Sequence, residues 1–330
     1  MRRYLFIILT LVFTSSCIRD VSYEPEMVED RVILNAQICA EDAEHTVYVG
    51  VSKSNTVTSL HGAEIRCIVN GVFSAMASED ERGWSKMQTP YTFKADLKPG
   101  DKVRLEMISD YGSAWCETVV PESGGRIKNV EVTDSKDDLN LSIQVEDTSP
   151  NRNYYMLRCV HRYERDVTIF FSGKDFEHRI KHFSERVSLE HSDDPILDGA
   201  YLGSDKEAYD ILGTGVPNIY CIFSDRKFEN AAAVVNVSIS KKEAFSTALD
   251  YEVYLENDIV KTTHWLDVSL CSISKEEYDY LSAISTLKVN DFDSSALMED
   301  AVIPSNVNGG EGFVTAYVET VSTIEVVEKR

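Results

Sequence analysis

From Arg31 onward the chain alternates apolar and polar residues at a period of two, in short runs separated by Gly, Pro, Asn and Asp. The runs "RVILNAQI", "HTVYVGVS", "AEIRCIVNG", "YTFKAD", "DKVRLEMIS" and "SAWCETVVP" each place apolar or aromatic side chains on one face of an extended strand. Breaks such as Lys98-Pro99-Gly100-Asp101 divide them at hairpin length, which predicts an immunoglobulin-like antiparallel sandwich over residues 31–121. Pro121-Glu122-Ser123-Gly124-Gly125 follows and reads as a flexible domain boundary.

Residues 126–330 open with "IKNVEVTD" and "LNLSIQVED" and pass through Tyr154-Tyr155 and "MLRCVHRYER". The alternation returns in "IYCIFSD", "AAVVNVSIS", "DYEVYLEN", "WLDVSLCSIS" and "GFVTAYVETVSTIEV". One segment departs from it. Ser274-Lys275-Glu276-Glu277 is a capping box, in which the Ser274 hydroxyl accepts from the Glu277 amide and the Glu277 side chain returns the bond. Tyr278, Leu281, Ile284 and Leu287 continue at helical spacing, so residues 275–289 are expected to form a helix laid on a sheet. The expected fold is all-β: an immunoglobulin-like β-sandwich, then a larger antiparallel β-domain over residues 126–330 with one covering helix.

The N-terminus has a different character. Arg2 and Arg3 precede an apolar run from Tyr4 to Phe13, followed by Thr14-Ser15-Ser16-Cys17, the layout of a secretory signal over residues 1–16. The run is about half of the roughly 20 residues that a membrane-spanning helix needs. Small residues before a single cysteine resemble a bacterial lipobox, although Thr14 stands where that motif carries Leu. On this reading Cys17 is acylated, and residues 17–30, acidic and interrupted by Pro25, form a tether. Two or three acyl chains, at about 0.8 kcal/mol per buried methylene, would hold a water-soluble body on a membrane.

Charge narrows the partners. The chain carries a net charge of −22; loss of residues 1–16 removes two arginines and no acids, leaving 31 basic against 55 acidic residues, a balance of −24. Such a balance argues against nucleic acid as a partner. Cys39, Cys67, Cys116, Cys159, Cys221 and Cys271 lie far apart, each in an apolar or alternating run; buried free thiols are expected, with disulfides as the alternative for an exported chain. Their spacing fits no zinc pattern.

Candidate chemistry is sparse. Gly309, Gly310 and Gly312 in "PSNVNGGEGFVTAYV" precede an alternating β-branched run, whereas a phosphate-cradling loop needs a helix there, so they read as a turn or bulge. His178 and His182 are four apart, and a zinc or haem site would need His161 or His191 brought to them by folding; exposed neutral histidines are expected instead. Asp291, Asp293 and Ser295 have calcium-loop spacing, yet Ala296 and Val302 stand where the loop needs Gly and Glu. Asp193, Asp194 and Asp198 read as a solvated loop with weak cation affinity at most. No nucleophile elbow occurs and no cysteine sits beside a histidine, so the protein is read as a non-enzyme without cofactor or metal.

One stretch runs against the overall charge. Between residues 152 and 186 lie Arg152, Arg158, Arg162, Arg165, Lys174, Arg179, Lys181 and Arg186, interleaved with Tyr154, Tyr155, Tyr163, Phe170, Phe171, Phe176 and Phe183. Arginine and aromatic residues carry binding energy at interfaces. Arg152, Tyr154, Tyr155, Arg158, Arg162, Arg179, Lys181 and Arg186 are therefore the candidate binding face, against the alternative that the aromatics are core and the charges pair internally.

The lipobox, "GAEIRCIVNG", "LKPGDKVRL", "ETVVP", Tyr154-Tyr155, "IFSDRKF", "VSLCSISKEEYDYL" and "PSNVNGGEGFVTAYV" occur in an order that resembles the Domain of Unknown Function 4249 family. The resemblance covers nearly the whole chain after Cys17, apart from residues 160–215, and offers no catalytic residues to transfer. It implies a Gram-negative outer-membrane lipoprotein, commonly encoded beside TonB-dependent receptors. The expected function is that of a surface or periplasm-facing lipoprotein, a non-catalytic binding or accessory partner of such a receptor in nutrient uptake. The alternative is a structural or adhesive cell-surface lipoprotein of pilus or matrix type.

Overall fold

The computed structural model describes residues 30–53, 56–80, 88–170, 176–189, 194–201, 220–228, 231–251, 259–289 and 304–328. The structure is mostly β, with several antiparallel sheets and two helices among these residues.

The alternating runs become β1 (Arg31–Cys39), β2 (Glu44–Lys53), β3 (Thr56–Ser59), β4 (Glu64–Val69), β5 (Val72–Met76), β6 (Ser78–Glu79), β7 (Thr89–Lys94), β8 (Lys102–Ser109) and β9 (Gly112–Val119). The chain then forms β10 (Gly125–Asp134), β11 (Asp138–Asp147), β12 (Tyr154–Phe170), β13 (Phe176–Val187), β14 (Gly199–Tyr201), β15 (Tyr220–Ser224) and β16 (Ala232–Ser240). A single turn, α1 (Lys241–Ala244), precedes β17 (Ile259–Ile273); α2 (Lys275–Val289) and β18 (Val314–Val326) complete the fold. The helix occupies the span its capping pattern predicted. "DYEVYLEN" lies mostly outside the described residues.

An eleven-stranded sheet spans the molecule in the order β14-β15-β12-β17-β18-β1-β2-β7-β6, with β13 also paired to β12 and β3 to β2. A four-stranded sheet, β5-β4-β8-β9, and a three-stranded sheet, β10-β11-β16, cover the same face of it. β18 shows how. Its Val314, Ala316 and Val318 enter the core beneath the four-stranded sheet, with Leu34, Ile38, Ile65, Leu105 and Cys116. Farther along that face, Ile324 and Val326 meet the second core, with Leu141, Ile143, Tyr155, Val235 and Leu266. The odd-numbered Phe313 and Tyr317 point the other way, under α2, where they join Cys39, Met156, Cys271, Tyr280 and Leu281.

The boundary expected at residues 121–125 is where the chain leaves the four-stranded sheet and enters the three-stranded one. It is not flexible. The Gly124 amide donates to Ser272 Oγ (3.1 Å), the Gly124 carbonyl accepts from the Thr148 amide (2.9 Å), and Gly124 and Gly125 are buried. A Cβ on Gly125 would lie 2.9 Å from the Tyr155 ring, so these glycines serve close packing. Nor do the strands divide there: β18 pairs antiparallel with β17 and parallel with β1, so the C-terminal strand is a wall of the N-terminal sandwich.

The Gly309–Gly312 stretch threads between the two sheets of that sandwich. Asn308 exchanges backbone hydrogen bonds with Trp115 on β9, while the Glu311 amide donates to the Val32 carbonyl (2.8 Å) and its carbonyl accepts from the Leu34 amide (2.9 Å). Gly309 and Gly312 have φ of 78° and 117°, and a Cβ on Gly312 would press into the Leu34 carbonyl oxygen and lie 2.6 Å from Asn35 Oδ1. These glycines form an architectural corner. Gly312→Ala is expected to lower stability in urea by at least about 2 kcal/mol, from backbone strain plus the carbonyl clash. Gly71→Ala, at φ 79° but with open space around it, is expected to cost about 1 kcal/mol; equal costs would contradict the packing argument.

Candidate functional site

β12 is long enough to pass from beneath α2 out along a part of the central sheet that no other described element covers. Its odd residues, Tyr155, Leu157 and Cys159, face the second core, and strand alternation puts Tyr154, Met156, Arg158, Val160 and Arg162 on the opposite face. Register extends that second face across four strands. Arg186 on β13 pairs with Val160; Ser269, Asp267 and Trp265 on β17 pair with Arg158, Val160 and Arg162; Glu319 and Thr323 on β18 pair with Cys271 and Asp267. α2 covers the end of this face at Met156 and Tyr317; beyond it charged and polar side chains alternate with Val160, Trp265 and Val321, and all but Arg158 and Ser269 are partly open to solvent.

Each charge in this stripe has a distinct setting. Arg158 is 7% exposed; its Nη2 donates to Tyr317 Oη (2.7 Å) and Glu319 Oε2 (3.0 Å), with the guanidinium 4.7 Å from the Tyr317 ring centroid. Burial acts to raise the Glu319 carboxyl, but Arg158 and hydrogen bonds from Ser269 and Cys39 hold it below its ordinary range. Arg162 bonds Asp267 through two nitrogens, Nε at 2.6 Å and Nη2 at 3.2 Å, and lies 5.3 Å from the Trp265 ring. Thr323 Oγ1 donates to the same Asp267 (2.6 Å). Arg186 makes no ion pair or side-chain hydrogen bond among the described residues.

At the covered end, Glu277 departs from the capping-box expectation. Ser274 Oγ accepts from the Glu277 amide (3.0 Å) as expected, but the carboxyl points into the protein, fully buried, and accepts from Thr315 Oγ1 (2.7 Å) and Gln37 Nε2 (3.3 Å). Tertiary packing wins because Glu277 lies on the helix face that meets β1 and β18. Burial raises its pKa from an ordinary 4.5 to about 7, against the hydrogen bonds and Arg158.

The eight residues singled out in the sequence do not share one surface. Arg158, Arg162 and Arg186 come together, and Tyr154 lies on the same face but packs on Tyr278 of α2 (4.9 Å between centroids). Tyr155 is core, its hydroxyl donating to Asp147 (3.2 Å). Arg152 pairs with Asp225 (3.4 Å), Arg179 with Glu177 (2.9 Å), and Lys181 joins Arg165 on Asp250 (3.6 and 3.1 Å). The period of two explains the split, because neighbours in sequence alternate between faces. Lys174 and Phe171 lie outside the described residues. Trp265, Asp267, Tyr317, Glu319 and Thr323 complete the stripe and escaped the sequence reading, since they arrive from strands about a hundred or more residues away.

The other chemical candidates take structural places. His178 and His182 are exposed on β13, beside Thr168 (3.1 Å) and Glu164 (3.0 Å), whereas His161 is buried on the opposite face and bonds His264 (3.0 Å). Burial pushes His161 down to about 4, and burial with His161 beside it does the same to His264. Asp194 accepts from the backbone amides of Ile196 (2.8 Å) and Asn236 (2.7 Å), and Asp198 takes the Ser224 amide (3.0 Å) and Lys227 (3.1 Å), so both carboxylates clamp a loop. His191, Asp193 and residues 291–302 lie outside the described residues. All six cysteines after Cys17 are free and buried, and burial raises each thiol. Among the described residues no group of three or more metal-ligating side chains gathers, and no helix is long and apolar enough to cross a membrane.

Across residues 18–323 the chain matches the family described as Domain of unknown function (DUF4249). The chain belongs to that family. No curated protein matches it. Among solved structures, the DUF4249 chain is similar to a DUF4785 family protein from Legionella pneumophila, with 10% identity and a TM-score of 0.23, over 75% of this chain and 54% of that one. A putative carbohydrate binding protein from Bacteroides uniformis is similar over 74% of this chain and 90% of its own, with 11% identity and a TM-score of 0.20. The match thus spans about half of the Legionella protein.

Glu277 gives the site a pH signature. With its folded pKa raised to about 7, native Glu277 binds a proton that the unfolded chain releases above about pH 4.5. Its contribution is full below that value and is lost as pH rises through 7. Relative to Glu277→Gln, the wild type is expected to lose on the order of 2–3 kcal/mol between pH 5 and pH 8 in denaturant titrations. The histidine contribution cancels in the comparison, and a difference independent of pH would show that Glu277 is ionised throughout.

Proposed function

We propose that this DUF4249 protein is a non-catalytic binding lipoprotein, held on the outer membrane by acyl chains on Cys17 and displayed at the cell surface or toward the periplasm. Its partner on this reading is a TonB-dependent receptor, which it assists in nutrient uptake, with the polar face of the central sheet as the contact surface. The observation that carries the binding assignment is the convergence of Arg158, Arg162 and Arg186 beside Trp265 on a sheet face that α2 leaves open. Arginine and tryptophan are strong contributors to recognition, and a sheet holds them at fixed spacing. The membrane assignment rests on the Arg2-Arg3 start, the short apolar run and Cys17, and the receptor on the family resemblance.

A second reading, structural or adhesive, draws on a different surface. The outer face of the four-stranded sheet exposes Phe73, Met76, Ile108, Trp115 and Val119 among the Arg66–Glu64 and Arg104–Glu106 ion pairs, a mixed surface suited to packing against other proteins.

Purification of tagged protein from membranes in mild detergent separates the two. The accessory reading expects a large β-barrel to co-purify and the N-terminal peptide to carry acyl mass on Cys17. Polymers without any barrel would favour the adhesive reading, and an unmodified Cys17 thiol, or release from cells without detergent, would remove the membrane location.

A further inference from the structure

The three arginines of the open face are unequally neutralised. Arg158 is matched by Glu319 and Tyr317, and Arg162 by both oxygens of Asp267. Arg186 sits opposite Val160, between them on the diagonal, and makes no direct ion pair among the described residues. The acids nearest in register are paired with the other two arginines. Strand order places β13, β12, β17, β18 and β1 in sequence: Asp267, in line with Arg186 two strands away, is held by Arg162, and Glu319, three strands away and ion-paired with Arg158, acts on Arg186 only through its field. Glu41 and Asp42, just past β1, lie farther still in that direction; Glu41 is committed to the Glu319 amide (2.9 Å) and the Cys39 thiol (3.3 Å). The cationic end of the stripe therefore faces β13 and the anionic end faces β1.

We infer that Arg186, flanked by Arg158 and floored by Val160, is a subsite for one oxyanion group, a carboxylate, phosphate or sulfate carried by a small ligand. This deepens the binding assignment of the same face. A guanidinium presents its N–H donors in a planar fork that matches two oxygens of such a group. Burial first, and the like charge of Arg158 second, hold Arg186 below its ordinary pKa, against Tyr317, Cys271 and Glu319, which act the other way, the condition of a partly desolvated cation that a bound anion would relieve. Trp265 and the Arg162–Asp267 pair, next along the face, offer an apolar and hydrogen-bonding surface for the rest of the ligand.

The test is titration of the full-length protein in low-salt buffer with inorganic phosphate, sulfate and glucuronate separately, followed by calorimetry and by arginine side-chain NMR. Saturable one-to-one binding by at least one anion is expected, with the Arg186 signal moving. Arg186→Gln should weaken it at least about tenfold, and Arg126→Gln, a surface arginine of the three-stranded sheet paired with Glu146, should leave it unchanged. The strongest of the three anions identifies the class of group. Should Arg186→Gln fail to fold, Arg186→Lys keeps the charge without the fork and should bind more weakly than wild type. Absent or unsaturable binding, equal loss in Arg126→Gln, or undiminished binding in the Arg186 variants would overturn the inference. The titration uses the protein alone, so an unacylated Cys17 or a missing receptor would leave its result standing.

Discussion

The parallel pairing of β1 with β18 is the constraint on which the rest of the architecture hangs. Residues Ala36–Cys39 and Val314–Tyr317 lie side by side although nearly the whole chain separates them. Because β18 also pairs with β17, one strand closes the N-terminal sandwich, lines the second core and supplies the base on which α2 rests. Neither half of the central sheet is complete without it. A contact of such sequence separation carries a large loop-closure cost and is repaid only when both cores assemble. The Gly309–Gly312 corner is the local device that allows the approach, since any side chain at Gly310 or Gly312 would strike the β1 backbone.

With the sheet in place, side-chain parity decides what each residue can do. Along β12 a step of one residue moves a side chain from the second core to the open face, so Tyr155 and Arg158 serve unrelated ends although three positions separate them. The same parity sorts the histidines: His161 belongs to the interior with His264, and His178 and His182 belong to the exterior. Charge follows the division too. On the inner side of β12 and β13, Arg165 and Lys181 share Asp250, while on the outer side Arg158 and Arg162 pair with Glu319 and Asp267.

Most strands were legible because their signal is local. Alternation in "DKVRLEMIS" or "AAVVNVSIS" needs only one buried face, and the structure supplies it. β5 was missed although Asn70-Gly71 precedes it: both residues have positive φ, 52° and 79°, in a tight hairpin turn, and Val72 and Phe73 beyond it are exposed, so apolar alternation carried no information there. β13 was hidden for a related reason, since the open face gives "FEHRIKHFSERV" charges on both sides. The glycine corner was legible as architecture because the strand after it excluded a helix. The site was half legible. Arginine and aromatic enrichment pointed to β12 and β13, but which of their residues share a face with one another depends on register with β17 and β18, and no local pattern encodes register.

The network beside α2 fixes the covered end of this face. Glu277, Thr315, Gln37, Arg158, Tyr317, Glu319 and Cys39 form a buried polar seam where hydrophobic residues would pack at less electrostatic cost. Removing one member would leave another buried charge without its partner, so the seam holds its side chains in one arrangement. Arg158 is the link. Held by Glu319 and Tyr317 on one side, it presents a fixed positive charge to Arg186 on the other, and Arg186 cannot relax toward an acid of its own because the nearest ones are already engaged. The seam under the helix therefore leaves Arg186 without a direct carboxylate partner among the described residues, and that local imbalance, rather than the total charge of the strands, sets this face apart.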